Sequence, residues 1–404
     1  MLTASSVVRS CVLVGTPPLY WKLLNSSTRR HQQTLSTSKT SPARKPSRTN
    51  LEAVRPVQHL LQNGTVLLST SDDILANLAL EEWLYRHYDF SQADELVLLL
   101  WANRPAVVIG RHQNVWSEVS VDYCHREGIQ IVRRNSGGGA VYHDLANLNL
   151  SFLTSKGGYN RRRNLELLST LLSTAFSINT SISPREDLVV SSTGEKVSGT
   201  ASKLNATNSY HHCTLLVDVD RQALKRSLRS SSLPIAGLVS NATRSVPSPV
   251  LNLKTLNGSL SIDSLVGQLV RHFPSRAQSQ GPSSSALHLV DPTDDRLFAD
   301  ITSIRENFST WAWTFARTPK FSLEEEVVKL EGEVSTLRLT VEKGLITSVC
   351  YSPEPTLDFG ALLGTRFERQ PLLDALDRFK TNCEAEDRNP IIDAILSAYQ
   401  RCCQ

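Results

Sequence analysis

Apolar and polar positions change period several times along the chain, and each change predicts an element. Thr65–Leu68 reads as an opening strand. Ser71 is placed to cap a helix with Asp72 and Asp73 in its first turn, and Ala76, Leu80, Trp83 and Leu84 then fall on one face. Leu96–Trp101 and Ala106–Ile109 are compact apolar runs of strand length. Ile129–Val132 is another, and Asn147–Phe152 alternates polar and apolar with period two. Asn164 is a candidate cap for a second helix with the stripe Leu165, Leu168, Leu172 and Phe176. Short strands follow at Leu188–Val190 and Tyr210–Val217, and residues 262–273 carry a third amphipathic helix through Leu265, Leu269 and Phe273. After the linker-like stretch 274–285, Thr336–Val341 and Leu345–Cys350 predict a hairpin about Glu342-Lys343-Gly344. Residues 371–379 and 390–400 predict helices. A sheet-rich body followed by a smaller unit indicates an α+β fold with a mixed sheet.

Composition narrows the class. A chain of 404 residues with 40% hydrophobic and 20% charged residues can bury an ordinary globular core. No run of 18 apolar residues occurs, so no transmembrane helix and no membrane partner are expected. The net charge of +4 is misleading. Eight Lys or Arg residues precede the first acidic residue, Glu52; the remainder holds 35 basic against 39 acidic residues, so no nucleic-acid footprint is present. That leading segment is rich in Arg, Ser and Thr, which is the composition of a mitochondrial transit peptide. The seven cysteines show no CxxC pair and no zinc spacing, so free thiols and no metal site are expected.

Two segments carry the candidate chemistry. Residues 133–144 read Arg-Arg-Asn-Ser-Gly-Gly-Gly-Ala-Val-Tyr-His-Asp. Three successive glycines admit close approach of a ligand and can arrange backbone N–H groups as an anion nest. Arg133 or Arg134 is expected to offer a forked donor to a phosphate or carboxylate. The loop lacks the Gly-Lys-[Ser/Thr] ending of a P-loop and the GxGxxG spacing of a dinucleotide turn. It joins two strands, and a plain glycine-rich hairpin with exposed basic residues is the competing reading. The second segment, Gly194-Glu-Lys-Val-Ser-Gly-Thr-Ala-Ser-Lys203, places Lys196 near the start of a returning strand, bracketed by Gly194 and Gly199. A lone hairpin lysine is ordinarily a solvated charge.

These two segments together resemble the lipoate–protein ligase A and lipoyltransferase family, which shares its catalytic fold with biotin–protein ligases. The likeness extends to Asn77–Leu84, Val107–Trp116, Ser240–Ser248 and Trp311–Phe321, in the family's order, so that it spans about residues 65–325. The wording of "IGRHQN", "SGTASK" and "HHCTLL" is nearest the mitochondrial lipoyltransferase branch. One departure is Ala146, where the family usually has glycine after His143-Asp144-Leu145. If that position needs positive φ, alanine costs on the order of 1 kcal/mol.

The expected organisation is a transit peptide and disordered lead over 1–55, from composition, with a catalytic domain over 56–284 and an accessory domain over 285–404, as the resemblance implies. It implies transfer of a lipoyl group to a lysine amine, with Lys196 as the catalytic cation. Arg134, Ser136, Gly137, Gly138, Gly139, Tyr142 and His143 would line the lipoyl and phosphate pocket. Asp187 would face the nucleotide near Arg185, and Ser198, Gly199, Ala201 and Thr214 would border the same pocket. Trp101, Val141 and Leu150 are candidates for the apolar tunnel. The implied donor is lipoyl-AMP or the lipoylated H protein of glycine cleavage, with Mg-ATP required only by a ligase. The implied acceptors are lipoyl domains of 2-oxoacid dehydrogenase acyltransferase subunits, met by a monomeric enzyme in the mitochondrial matrix. Three alternatives stand beside this: an ATP-dependent lipoate–protein ligase, an octanoyltransferase using Cys213 as a thiol nucleophile, and a non-enzymatic lipoate-binding module.

Overall fold

The computed structural model describes residues 64–90, 96–229, 235–273, 287–328, 334–352, 357–381 and 385–403. The transit-like segment and the 274–285 linker lie outside the described residues. The chain forms two compact units, each assembled from separated stretches. The first holds the described residues up to 104 with 143–220 and 248–307; the second holds 105–142, 221–247 and 308–404.

The first unit is built on a six-stranded mixed sheet. Its strands are β1 (Val66–Ser69), β2 (Leu96–Trp101), β3 (Asn147–Ser155), β4 (Thr200–Leu204), β5 (Asn208–Leu216) and β6 (Leu287–Val290). They lie in the order β6-β1-β2-β3-β5-β4. β1 pairs in parallel with β6 and β2, whereas β2-β3, β3-β5 and β5-β4 are antiparallel. The parallel β1–β6 pairing places residues 287–290 in this unit, so the domain boundary expected at 284/285 does not follow the compact units. No local pattern announces a pairing 221 residues apart (Val66 with Leu287).

Alternation assigns the two faces of the sheet. Leu98, Leu100, Leu148, Leu150, Phe152, Cys213 and Leu215 face one side. There they pack on helix α2 (Arg161–Phe176) through Leu165, Leu168 and Leu172, and on α3 (Ile262–His272) through Leu265 and Leu269. The predicted stripes are therefore core faces. Their caps differ from expectation: α2 starts one turn earlier than predicted, with the side chain of Asn160 accepting from Arg163 N–H at 2.9 Å. Helix α1 (Ile74–His87) is capped by Asp73, which accepts from Leu75 N–H, not by Ser71. Nearly all of α1 is buried, including Asn77, Glu81 and Glu82. A stripe of Ala76, Leu80, Trp83 and Leu84 thus describes only half of what that helix hides.

The second unit has a three-stranded sheet, in which Ala106–Ile109 lies between Gln130–Arg133 and Val141–His143. It also has a four-stranded sheet of Leu238–Ser240, Phe321–Val328, Val334–Glu342 and Leu345–Ser352, with the predicted hairpin turning on Lys343 (φ 52°) and Gly344 (φ 73°). Helices Arg369–Thr381 and Ala385–Cys403 complete it, the latter with Pro390 inside.

Candidate active site

The predicted site residues fall into two groups, one within each unit. In the second unit, the glycine loop links the two outer strands of the three-stranded sheet, so it is a crossing and not a hairpin. Its arginines are buried (1% exposed for Arg133, 4% for Arg134), which overturns the competing reading of a hairpin with exposed basic residues. Arg133 donates to the carbonyls of Gly110, Arg111, Gln113 and Thr314 at 2.9–3.1 Å and to Thr318 Oγ1 at 3.0 Å. Burial, then Arg317 and Arg134 nearby, lowers its pKa to about 9, which leaves it cationic at neutral pH. Arg134 donates to Val108 O, to Gly137 O and Gly139 O, and to Ser136 Oγ. Both guanidinium groups are turned onto carbonyls of the chain itself. These bonds shape the loop.

The glycines differ in what requires them. Gly138 sits at φ 84°. A Cβ on Gly110 would lie 2.0 Å from Gly138 O, so the neighbouring strand end must also be glycine. A Cβ on Gly139 would meet Ser245 Oγ at 2.9 Å, whereas one on Gly137 would meet nothing within 4 Å. Ser245 belongs to the stretch 240–248 that resembled the closing loop. Its hydroxyl accepts from Ala140 N–H at 2.9 Å and from Gln113 Nε2 at 3.0 Å. Ser245 N–H in turn donates to Glu118 Oε2 at 3.1 Å. Tyr142 is buried at the loop's exit.

In the first unit, the Lys196 hairpin is anchored by its backbone. Gly194, at φ 75°, turns the chain, and Lys196 forms isolated bridges to Val189 and Val250 in place of the expected returning strand. Lys196 N–H donates to Pro249 O at 2.8 Å, and its carbonyl accepts from Leu251 N–H at 3.0 Å. The side chain is 24% exposed, and its Nζ lies 3.0 Å from Asp187 Oδ2. Asp187 follows a tight turn in which Glu186 takes φ 59°, a left-handed conformation uncommon outside glycine. Ser183 holds that turn: its carbonyl accepts from Glu186 N–H and its hydroxyl from Asp187 N–H. Arg185 is exposed on the turn, with its carbonyl accepting from Arg161. Ser198 is fully buried and its hydroxyl accepts from Leu188 N–H at 2.8 Å. Gly199 and Thr214 exchange two bonds at 2.9 Å, Gly199 N–H to Thr214 Oγ1 and Thr214 N–H to Gly199 O. Ala201 pairs with His212.

His143 ends a buried polar chain. Ser69 Oγ donates to Asn77 Oδ1, Asn77 Nδ2 to Asn103 Oδ1, and Asn103 Nδ2 to His143 Nδ1. An amide donor at Nδ1 leaves the proton of the neutral imidazole on Nε2. Cys213 points the other way, into the core: it is 2% exposed, and burial pushes its thiol up to about 12. A nucleophilic thiolate is not available there. Leu150 lies on that same core face, which removes it from the tunnel candidates, since its neighbours Asn149 and Ser151 face the other side. Ala146 has no positive φ, so alanine is accommodated without strain there.

Sequence reading missed Asn77, Glu81 and Glu82 on α1. Glu81 Oε1 lies 2.9 Å from His212 Nδ1, and Glu82 binds Lys203 Nζ at 2.8 and 2.9 Å. The signal was partial: Asn77 and Glu81 are spaced i, i+4 and so share one face of a helix that is otherwise mostly apolar up to Leu84.

With the geometry described, comparison with known proteins adds the following. The family model for the lipoyl protein ligase A/B catalytic domain matches residues 73–274. The human mitochondrial lipoyl amidotransferase LIPT1 is 40% identical over 265 residues, which are 65% of this chain and 68% of that protein. A protein from Schizosaccharomyces pombe described as a lipoate-protein ligase A is 31% identical over 313 residues, 74% of this chain and 83% of its own length. Among solved structures, P. falciparum LipL1 in complex with lipoate aligns with a TM-score of 0.55 at 23% identity, covering 83% of this chain and 99% of that one. A lipoate-protein ligase A bound with ATP aligns at a TM-score of 0.50 and 23% identity, covering 63% of this chain and 99% of that one. At that identity the structural likeness speaks for the fold.

Proposed function

The chain belongs to the lipoyl protein ligase A/B catalytic-domain family and is a lipoyl-transferring enzyme, and from that premise we propose that it is a mitochondrial lipoyltransferase. Its reaction moves the lipoyl group from lipoyl-AMP, or from the lipoylated H protein of glycine cleavage, to a lysine of lipoyl domains in 2-oxoacid dehydrogenase acyltransferase subunits. The Lys196–Asp187 pair carries this reading. In acyl transfer to an amine, the acceptor lysine is the nucleophile. With lipoyl-AMP as donor, the enzyme must neutralise charge that grows on the carbonyl oxygen and on the departing phosphate; with the lipoylated H protein, the carbonyl charge is the same and the departing lysine amine takes up the proton that the attacking amine gives up. Lys196 supplies a point charge on a backbone pinned from both sides, and Asp187 directs it. The glycine loop supplies backbone N–H groups suited to an anion. His143, fixed through Nδ1, serves to orient substrate and not to abstract a proton.

The arginine-rich, acid-free leading segment and the mitochondrial relatives support the proposed matrix location. The deciding experiment incubates the enzyme with an apo lipoyl domain and one of three donors: lipoyl-AMP, lipoylated H protein, or free lipoate with Mg-ATP. Transfer from lipoyl-AMP or H protein, and none from lipoate with Mg-ATP, is the expected result. Efficient transfer from lipoate with Mg-ATP makes the chain a ligase instead, and no transfer from any donor overturns the reading.

A further inference from the structure

Glu186 takes φ 59°, and the residue after it is Asp187, the partner of Lys196. A non-glycine residue stays in a left-handed conformation only where its surroundings hold it there. The aim of Asp187 therefore depends on what holds the turn before it.

Two rigid elements do so. From α2 comes Arg161, the first residue after the Asn160 cap, on a helix fixed to the sheet by Leu165 and Leu168. Its Nη2 donates to Arg185 O at 3.2 Å and to Glu186 O at 3.4 Å, and its Nε lies 3.2 Å from Glu186 Oε2. From β4 comes Thr200, the first residue of that strand, whose hydroxyl donates to Glu186 O at 3.0 Å. Arg161 Nη2 also donates to Thr200 Oγ1, so the two braces support each other. The ion pair alone gives no reason for this arrangement. With side chains 21% and 42% exposed, Arg161 and Glu186 stabilise the fold little through charge. The next residue, Arg162, makes an ordinary surface pair with Glu166 one helical turn on. Arg161 instead turns its planar fork onto consecutive main-chain carbonyls at one turn, a task that suits a guanidinium and not an ammonium.

We propose that Arg161, with Thr200, is a positioning residue for lipoyl transfer: it holds the left-handed Glu186 peptide so that Asp187 aims Lys196 at the acyl carbonyl. The proposal rests on the lipoyl-transfer reading, with Lys196 as its cation. Neither Arg161 nor Thr200 takes part in bond making.

The test is single-turnover transfer from lipoyl-AMP to an apo lipoyl domain, under conditions where circular dichroism shows each variant folded. Arg161→Gln is expected to slow transfer by roughly 10- to 100-fold, the scale of a displacement of about 1 Å at a reacting centre. Thr200→Val deletes one brace, keeps the shape, and is expected to slow transfer several-fold. Two further variants separate positioning from plain structural support. Glycine adopts positive φ freely, so Glu186→Gly added to Arg161→Gln should restore most of the lost rate. In a Lys196→Ala background, Arg161→Gln should cost nothing further, because residues that act as one unit are not additive. Unchanged rates in Arg161→Gln and Thr200→Val, a glycine that restores nothing, or a full additional loss on top of Lys196→Ala, each overturns the proposal. Wild type that transfers from no donor refutes the lipoyl-transfer reading itself, and the proposal with it.

Discussion

Lys196 Nζ stands 3.0 Å from Asp187 Oδ2, and the two reach each other from opposite sides of a short hairpin whose turns are held by backbone bonds. Neither is deeply buried, at 24% and 13% side-chain exposure, so the pair contributes little to stability. Its value lies in direction: a flexible four-carbon stem is given one preferred position. Lys196→Ala is expected to lower single-turnover transfer from lipoyl-AMP by about 10²–10³-fold or more with an unchanged unfolding midpoint. Lys196→Arg should not rescue, since a planar fork cannot occupy a point-charge position. Asp187→Asn should lose less, because the cation remains. Activity of Lys196→Ala within about tenfold of wild type, far short of the loss of a preorganised donor, refutes its catalytic role.

Gly110 and Gly137 separate loop geometry from loop chemistry. Gly110→Ala forces a methyl group to within 2.0 Å of Gly138 O and should destabilise the protein by about 1–3 kcal/mol or more, the range for overpacking. Gly137→Ala meets nothing within 4 Å and should unfold at the wild-type denaturant midpoint. Any loss of transfer in Gly137→Ala then reports on substrate approach. Urea titration of both variants decides the matter.

Arg133 is a brace with five hydrogen bonds. Arg133→Ala should cost more than about 3 kcal/mol, because several buried carbonyls lose their donor together. Arg133→Lys should recover only part, since one ammonium cannot span carbonyls that the planar fork reaches. Equal stability of the lysine variant and wild type in denaturant titration would contradict this account.

Cys213→Ser should retain most transfer activity. The thiol is core-facing and raised to about 12 by burial, so it is no nucleophile at neutral pH. In the folded wild type, a thiol reagent should label exposed Cys350 quickly and Cys213 only on unfolding. A trapped acyl-thioester at Cys213 would move the chain to a thiol-dependent transferase.

His211 predicts a pH dependence of stability. It is fully buried against Phe152, with Nδ1 on Asn164 Nδ2, and burial, then Arg161 and His212, lowers its pKa from 6.5 to about 3. Between those values the unfolded chain binds a proton at His211 and the folded chain does not. Stability from this group is thus complete above pH 6.5 and falls by about 1.4 kcal/mol per unit as pH drops towards 3. His211→Gln should flatten that slope in urea titrations between pH 7 and 5. An unchanged slope would show that other groups set it.

The sequence by itself determined the local elements and the chemistry-bearing segments. The period of Leu96–Trp101, the stripe of Leu165, Leu168, Leu172 and Phe176, and the hairpin at Lys343-Gly344 all stand where the pattern put them, because each is decided by residues within one or two turns. The two segments that carried the family likeness did so through side-chain identity alone. Tertiary structure decided the rest. The cap of α1 moved to Asp73 because Ser71 was drawn to Asp73 N–H and Asn77 Nδ2 through its own hydroxyl and carbonyl. Arg133 and Arg134 hold carbonyls that the local sequence does not announce, since their neighbours in space, Gly110, Thr314 and Val108, are remote in sequence. Residues 287–290 joined the first sheet because an unpaired edge of β1 accepts any strand that supplies backbone bonds, whatever its distance along the chain. Burial of Glu82 and Ser151 was equally invisible: a polar residue looks the same in sequence whether it faces water or another chain segment, and only the packed structure supplies its partner or withholds one.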